Sequence, residues 1–479
     1  MVSMGEVLVG TYVFVSWFVL PSIIFMLTPV FFISPIYLFL VAAYGCTCVI
    51  TSMETLTAMY WRLCYHEETH GDSVPPSLTY LIPAFLDNEV DILDDTLMSY
   101  SRLKYSGDIH VIVVYNTRKD MKESEDLLFY KWDGKVISSG SCRVSYEILC
   151  NQGSSSKAEN VNFAISRVRS PYVGIMDADH FPDASNAHEA CRFLSQGKHD
   201  IVQGVCTIRN HENFLSNVVA VEFDDMYCIG HEGRCTLFDL GVFAGSNGFW
   251  KTNVLQEIKM DTGMLTEDID SSIRAMLKGY KIGFCSKIIT SELSPLTKVT
   301  HAKQRKRWSQ GWLEVSNKHF IECVKSPNIS LRQKIGVCYL LAWREYFTYF
   351  TFWPLICMIS MFLRGTVIFE MLFIIIGASV TAVGVAKPLA IYALAIGPIK
   401  RKKGVTPFIV YLFISMFYSI YLYYIQIVSH GRHLVKMNTW VATERDTKSS
   451  TTKITETPSL TVSNSSSLCS IEDIYPNIH

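Results

Sequence analysis

Hydrophobic positions in this chain fall into blocks, and the blocks predict its architecture. The stretches Leu8–Thr28 and Pro29–Ser52 carry no charged residue. A hydrocarbon core about 30 Å thick takes roughly 20 helical residues to cross, so residues 1–60 read as two transmembrane helices in a hairpin. No basic segment precedes the first stretch and no small-residue cleavage pattern follows it, so it reads as a span rather than a signal peptide. From 61 to 328 the pattern changes to short β-branched runs, such as His110-Val111-Ile112-Val113-Val114, alternating with mixed polar stretches of helical period. That alternation predicts βαβ units around a parallel sheet. Residues 329–345 mix charges with Leu, Ile, Val and Tyr, as an interfacial helix does. Apolar runs return at Tyr346–Leu363, Val367–Ala386, Leu389–Ile399 and Thr406–Ser429, which predicts three or four further crossings within 346–430. Residues 447–479 are rich in Ser and Thr and are predicted to be disordered.

Composition agrees with a membrane protein: of 479 residues, 49% are hydrophobic and only 18% charged. The net charge of -1 leaves no basic domain to neutralise a row of phosphates, which argues against nucleic acid as a partner. The 14 cysteines show no CxxC pair or regular spacing and read as reduced thiols.

Five polar clusters fall in one order inside the middle block. Pro83-Ala84-Phe85-Leu86-Asp87-Asn88-Glu89 follows Tyr80-Leu81-Ile82, at the strand-to-helix turn where open α/β sheets bind nucleotides. Alone, it reads rather as a plain strand-to-helix turn with a capping Asn or Asp. Ser154-Ser155-Ser156-Lys157-Ala158-Glu159-Asn160 sets a lysine beside a small-residue loop. Tyr172-Val173-Gly174-Ile175-Met176 runs into Asp177-Ala178-Asp179, and two carboxylates at i and i+2 leaving a strand suit a shared Mg2+ or Mn2+ ion that also holds a diphosphate. Without a cation, burying both would cost several kcal/mol. Thr266-Glu267-Asp268 opens a helix, where acidic residues are ordinarily caps. Gln304-Arg305-Lys306-Arg307-Trp308 lies on a predicted helix, where Arg307 offers a planar fork for diphosphate oxygens and Trp308 an apolar face for a sugar.

In this order, and flanked by spans, the five clusters resemble the processive family 2 glycosyltransferases, the group of cellulose, chitin and hyaluronan synthases. The resemblance implies a cytosolic GT-A-type domain with a mixed sheet at 61–328, inserted between N- and C-terminal transmembrane helices, at the plasma membrane. It implies a UDP-sugar donor, a growing polysaccharide as acceptor, a lipid bilayer around the spans, and an inverting transfer. It further implies that Asp268, with Glu267 beside it, is the base for the acceptor hydroxyl. Pro83, Glu89, Asn116, Lys157, Asp177, Asp179, Gln304, Arg307 and Trp308 would then surround the donor. Gly245-Ser246-Asn247-Gly248-Phe249-Trp250 looks like an acceptor-side loop, so Gly245, Ser246, Asn247 and Trp250 join Trp308 at the acceptor. Trp440-Val441-Ala442-Thr443-Glu444-Arg445 resembles a gating segment within 431–446, with Trp440, Thr443 and Arg445 as its matching residues.

One departure stands out: where many relatives end the second strand in an acidic residue that meets uridine, this chain has Asn116, which can hydrogen-bond but is no anion. Thr266-Glu267-Asp268 resembles the cellulose synthase side of the group and points first to UDP-glucose, with UDP-N-acetylglucosamine and UDP-glucuronate polymers, or single transfer to a lipid, as alternatives. Charge counting puts Lys400-Arg401-Lys402-Lys403 in the cytosol, which would send Trp440 outside after one more span. A crossing at Leu389–Ile399 would remove the conflict, and the sequon Asn464-Ser465-Ser466 reports the side of the tail.

Overall fold

The computed structural model describes residues 4–64, 77–139, 142–365, 377, 384–435, 437 and 461–464. Its centre is one mixed sheet of β1 (Leu78–Phe85), β2 (Asp108–Asn116), β3 (Lys135–Ser139), β4 (Cys142–Cys150), β5 (Tyr172–Ile175), β6 (Phe181–Pro182), β7 (Ile201–Ile208), β8 (Gly248–Lys251), β9 (Ile282–Glu292) and β10 (Thr461–Asn464). The spatial order is β10-β3-β4-β2-β1-β5-β8-β7-β9-β6. Strands β4, β2, β1 and β5 are parallel neighbours, as the apolar runs predict. The short β8 then enters antiparallel to both β5 and β7, so the sheet is mixed rather than parallel.

Strand β1 shows why the sheet opens where it does. Its side chains alternate between two cores, with Tyr80, Ile82 and Ala84 on one face and Leu81 on the other. Such two-sided burial is what a run of apolar residues without alternation encodes. Leu81 accepts the last bond from the β5 side, through Met176 N–H at 2.9 Å. Pro83, two residues on, faces the same side, where β5 has already ended. Its missing N–H therefore breaks no pairing, and the crevice opens beside it.

Four helices are long and apolar enough to cross a membrane: Met4–Leu27, Pro35–Cys64, Leu331–Leu363 and Thr406–Leu434. The second runs well past Ser52 and plants its end on the catalytic domain, where Arg62 binds Glu232 at 2.7 Å. A Cβ on Gly233 would lie 2.5 Å from the Glu54 carbonyl oxygen, so the two helices meet at backbone contact. Residues 329–345 are not a separate interfacial helix: Leu331–Leu363 is one helical run, carried through a π turn at Cys338–Trp343. Of Val367–Ala386, most lies outside the described residues.

The described helix of the run Leu389–Ile399, Gly384–Leu394, lies against the sheet domain: its Ile391 and Leu394 share one buried cluster with Val218, Val221 and Phe223. Lys403 then ties the basic run to the same domain, through the His211 carbonyl at 2.6 Å and Asn217 at 3.1 Å. Thr406–Leu434 stays with that domain as well. Tyr418 donates to Glu222 at 2.7 Å, Ser429 to the Lys306 carbonyl at 3.2 Å, and His433 lies 3.7 Å from Glu314. Its opposite face exposes Ile409, Phe413, Phe417 and Tyr424. Within the Ser/Thr-rich tail, Thr461–Asn464 pairs antiparallel with β3 and covers what would be a free sheet edge.

Candidate active site

Strand ends and helix starts bring the charged residues of the second, third and fourth clusters together. Ser156 caps the helix Lys157–Ala164 by accepting from Glu159 N–H, which leaves Lys157 in its first turn. The Lys157 ammonium donates to Asp177 Oδ1 and, at 2.7 Å, to the Gly245 carbonyl. Gly245 has φ +90°, and a Cβ there would stand 2.7 Å from Asp268 Oδ2. Only glycine fits this conformation and this approach. Ser246 accepts from Asp177 N–H at 3.0 Å, which locks the loop to the end of β5.

Asp268 sits in the first turn of the helix Glu267–Leu277. Burial, and then neighbouring Glu267, push its carboxyl up to about 7, against the pull of Lys157 and Arg307. Burial alone would raise Asp177 too, but Lys157 and His180 hold it below the usual carboxylate range. Two carboxyls of one pocket are thus set apart, one firmly ionised and one poised near neutrality.

The fifth cluster lies on the helix Lys298–Lys325. Gly311 lets that helix close on the fourth cluster, because a Cβ there would fall 2.3 Å from Thr266 Cγ2. Gln304 Oε1 and Thr266 Oγ1 are buried without a hydrogen-bond partner, so the seam has polar groups still to satisfy. Trp308 is half-buried and carries the Arg305 guanidinium 4.3 Å from its ring centre. Arg305, named in the sequence only as part of its cluster, is a buried strut that binds Glu222 at 2.6 Å and His301 at 3.2 Å.

Other predicted residues take structural positions. Glu89 accepts from Phe85 N–H at 2.9 Å and closes the turn after β1. Asn116 donates to the Ser154 carbonyl at 2.9 Å and accepts from Asn160 at 2.8 Å, fastening β2 to the Lys157 loop. Asp87, which the sequence offered only as a cap, accepts from Arg118 N–H at 2.9 Å and from Thr117 at 3.1 Å across the nucleotide corner. Asn247 is buried and donates to the Val205 and Ile288 carbonyls at 2.9 and 3.0 Å. Trp250, expected at the acceptor, is instead a packing residue: it is fully buried on β8 against Phe243, so an acceptor sugar reaches it only by unpacking the core. Asp177 and Asp179 have different partners: Asp179 is wholly buried, with Oδ1 on His180 at 3.2 Å and Oδ2 accepting from Leu293 N–H at 3.2 Å. Gln203 was missed inside an apolar run, and it scaffolds the Gly245 loop by donating to the Ser246 carbonyl at 2.9 Å and accepting from Ala244 N–H at 2.8 Å. Trp440, Thr443 and Arg445 lie outside the described residues.

Residues 79–223 match the model of glycosyl transferase family 2, and residues 172–396 that of glycosyl transferase family group 2. Among curated proteins, the chain is 26% identical to glucomannan 4-beta-mannosyltransferase 9 of Arabidopsis thaliana, over 56% of this chain and 50% of that one. It is 27% identical to poly-beta-1,6-N-acetyl-D-glucosamine synthase of Staphylococcus aureus strain MSSA476, over 53% and 59%. The match thus spans little more than half the length of these relatives. Among solved structures, the mannosyltransferase PcManGT of Pyrobaculum calidifontis, in complex with GDP-Man and Mn2+, overlays with a TM-score of 0.54 at 16% identity, covering 85% of this chain and all of that one. That likeness shows the GT-A fold. Together the two models cover residues 79–396, the strands and helices that carry Lys157, Asp177 and Asp268, and this part of the chain is a family 2 glycosyltransferase domain.

Proposed function

We propose that the chain is a processive, inverting synthase that extends a β-linked polysaccharide from a nucleotide-diphosphate sugar and passes the product toward its own apolar helices. The observation that carries this reading is the convergence of Lys157, Asp177, Gly245 and Asp268, with Arg307 close enough to Asp268 to lower its pKa. Asp268 takes the proton of the acceptor hydroxyl as that oxygen attacks the anomeric carbon and the nucleotide diphosphate departs from the opposite face. A carboxyl near 7 is matched to that task at neutral pH. Arg307 and Lys157 hold diphosphate charge, and Trp308 offers its ring to the terminal sugar of the chain.

A divalent cation fits beside Asp177, because Lys157 already draws a carboxylate oxygen and the Gly245 carbonyl around one positive charge. Asp177 would hold Mg2+ or Mn2+ there, and the ion would neutralise charge on the leaving diphosphate. Asp179 supports the same loop from within the core.

UDP-glucose is the first donor to test on the Thr266-Glu267-Asp268 signature. The relatives named for mannosyl and N-acetylglucosaminyl products widen the field to GDP-mannose and UDP-N-acetylglucosamine. Membranes holding the chain are incubated with each sugar nucleotide, alone and with UDP-glucuronate, and nucleotide release and product length are measured. Linkage-specific hydrolases then identify the polymer. Release with products of a single added sugar would remove processivity, and no release from any donor would remove the transferase reading.

We propose that Thr406–Leu434 lies at the membrane surface against the catalytic domain, so that the segment with Trp440 and the β10 strand stay on that domain's side. Asn464 then remains unglycosylated in a eukaryotic membrane; a glycan on it would reverse the assignment.

A further inference from the structure

Behind the transfer pocket, three side chains of metal-ligand type converge from three strand ends. His180 follows Asp179 on the loop after β5, Cys206 lies on β7, and Glu292 ends β9. Their ligand atoms all fall within 4.8 Å of one another. His180 and Cys206 are almost wholly buried, at 1% exposure each. The Nε2 atom of His180 makes no hydrogen bond, although Glu292 Oε2 is 3.5 Å away. Its other nitrogen, Nδ1, lies 3.2 Å from Asp179 Oδ1.

We propose that His180, Cys206 and Glu292 form a binding site for a zinc-class divalent cation, with Asp179 as the carboxylate that fixes the imidazole. The arrangement has the parts such a site needs. Asp179 accepts the Nδ1 proton, which leaves the Nε2 lone pair facing the cluster, and ligating histidines are ordinarily oriented by a carboxylate in this way. Two nitrogen or oxygen ligands about 2.0–2.1 Å from a tetrahedral ion stand about 3.3 Å apart. The observed Nε2–Oε2 separation of 3.5 Å has that span and is long for a hydrogen bond. A thiolate selects zinc over the hard ions that suit Asp177. Three protein ligands leave a fourth position for water.

The competing arrangement is an imidazolium held between Asp179 and Glu292. Its net charge is the same as that of a cation bound by one thiolate and one carboxylate beside Asp179, so charge balance does not separate the two. The thiol does: in the ion pair Cys206 keeps a long contact to the Ser246 carbonyl, at 3.9 Å, whereas a cation uses its sulfur. A cation here would staple the Asp177–His180 loop to β7 and β9, and so hold the floor of the pocket at a fixed height. It takes no part in the transfer step, and the proposal stands even if the donor or processive reading fails.

The test uses the full chain, purified in detergent without chelators, with total zinc measured by elemental analysis and Co2+ exchanged in as a spectroscopic probe. About one zinc per chain is expected, together with a thiolate-to-cobalt charge-transfer band. Cys206→Ser should abolish the band and weaken Zn2+ binding at least tenfold, and Asp179→Asn should weaken it about 10–100-fold. Asp177→Asn should keep both zinc and band while losing transfer, which separates this site from the donor's cation. Wild-type protein that carries no zinc and takes up none on Zn2+ titration overturns the proposal, as does cobalt binding without the thiolate band. Both readouts come from the wild-type chain, so they decide the matter even if a variant fails to fold.

Discussion

Asp268 and Asp270 lie two residues apart on one helix and have opposite surroundings. Asp270 is fully buried and saturated: Arg274 donates to it at 2.6 Å, Lys318 at 3.0 Å, and His319 lies at 2.8 Å. Burial alone would raise it, but these three partners hold it far below the usual carboxylate range. Asp268 faces Glu267 and the Gly245 turn, and its cations, Lys157 and Arg307, do not offset its burial. A carboxylate with every lone pair used anchors the fold. One left short of partners in a crevice keeps the capacity to take a proton.

Replacing each residue should therefore break a different property, and the largest effect belongs to Asp268. Asp268→Asn should lower kcat by about 10²–10⁴-fold, as the loss of a general base does, while donor binding holds and the melting temperature does not fall. Turnover measured beside nucleotide affinity checks this, and a parallel fall in affinity would show that Asp268 binds the donor instead. Asp270→Asn should leave the chemistry of any folded fraction intact and cost about 3 kcal/mol, because it strands buried His319 together with Arg274 and Lys318. Thermal melting in detergent reads that loss. Equal melting temperatures for the two variants would erase the distinction between anchor and base.

A smaller effect belongs to the contact that brings the helices together. Gly311→Ala places a methyl group 2.3 Å from Thr266 Cγ2, so one helix must shift. A cost of about 1–3 kcal/mol is expected from overpacking, with a fall in kcat larger than the fall in donor affinity, because the shift separates Trp308 from Asp268. Steady-state kinetics with the donor varied would show it. Unchanged kcat would mean that the seam does not position the acceptor.

Much of this was legible in the sequence, for a physical reason. Strands buried on both faces read as unbroken apolar runs, so the charged residues ending them mark the open edge of the sheet, and Asp177 is legible that way, whereas Lys157 and Asp268, at helix starts, are legible only through the family resemblance of their clusters. The loop residues were harder. Asn116, Asn247 and Glu89 are polar at the edge of a crevice, as ligand-binding residues are, yet their hydrogen bonds go to backbone and neighbouring side chains. Trp250 follows a polar turn as an exposed platform would, but β8 pairs on both sides and carries it into the core. In the apolar portion, hydropathy cannot tell lipid from protein as the apolar partner, so the shared burial of Ile391 and Leu394 with Val218 and Phe223 is not legible in the sequence. Asp270 left little signal, since only Arg274, four residues on, is local, and Lys318 and His319 come from 48 and 49 residues away.

The pH dependence of stability separates the two carboxylates most finely. Asp268 has a folded-state pKa of about 7, above the roughly 3.9 of an unfolded aspartate. The folded chain therefore binds that proton more tightly, and stability rises as pH falls from above 7 toward about 4, by at most about 1.4 kcal/mol per pH unit. Asp270 is depressed, so its contribution is complete above the unfolded value and is lost only as pH falls below about 4. Between pH 8 and 5 the two predict different curves. Asp268→Asn should flatten the rise in melting temperature on acidification, whereas Asp270→Asn should lower the whole curve and keep its slope. Histidines that titrate in the same window contribute equally to wild type and to the Asp268 variant, so the difference between their curves isolates this group. If that difference has no slope near pH 7, Asp268 is not poised for proton transfer, and the base must be sought at Glu267.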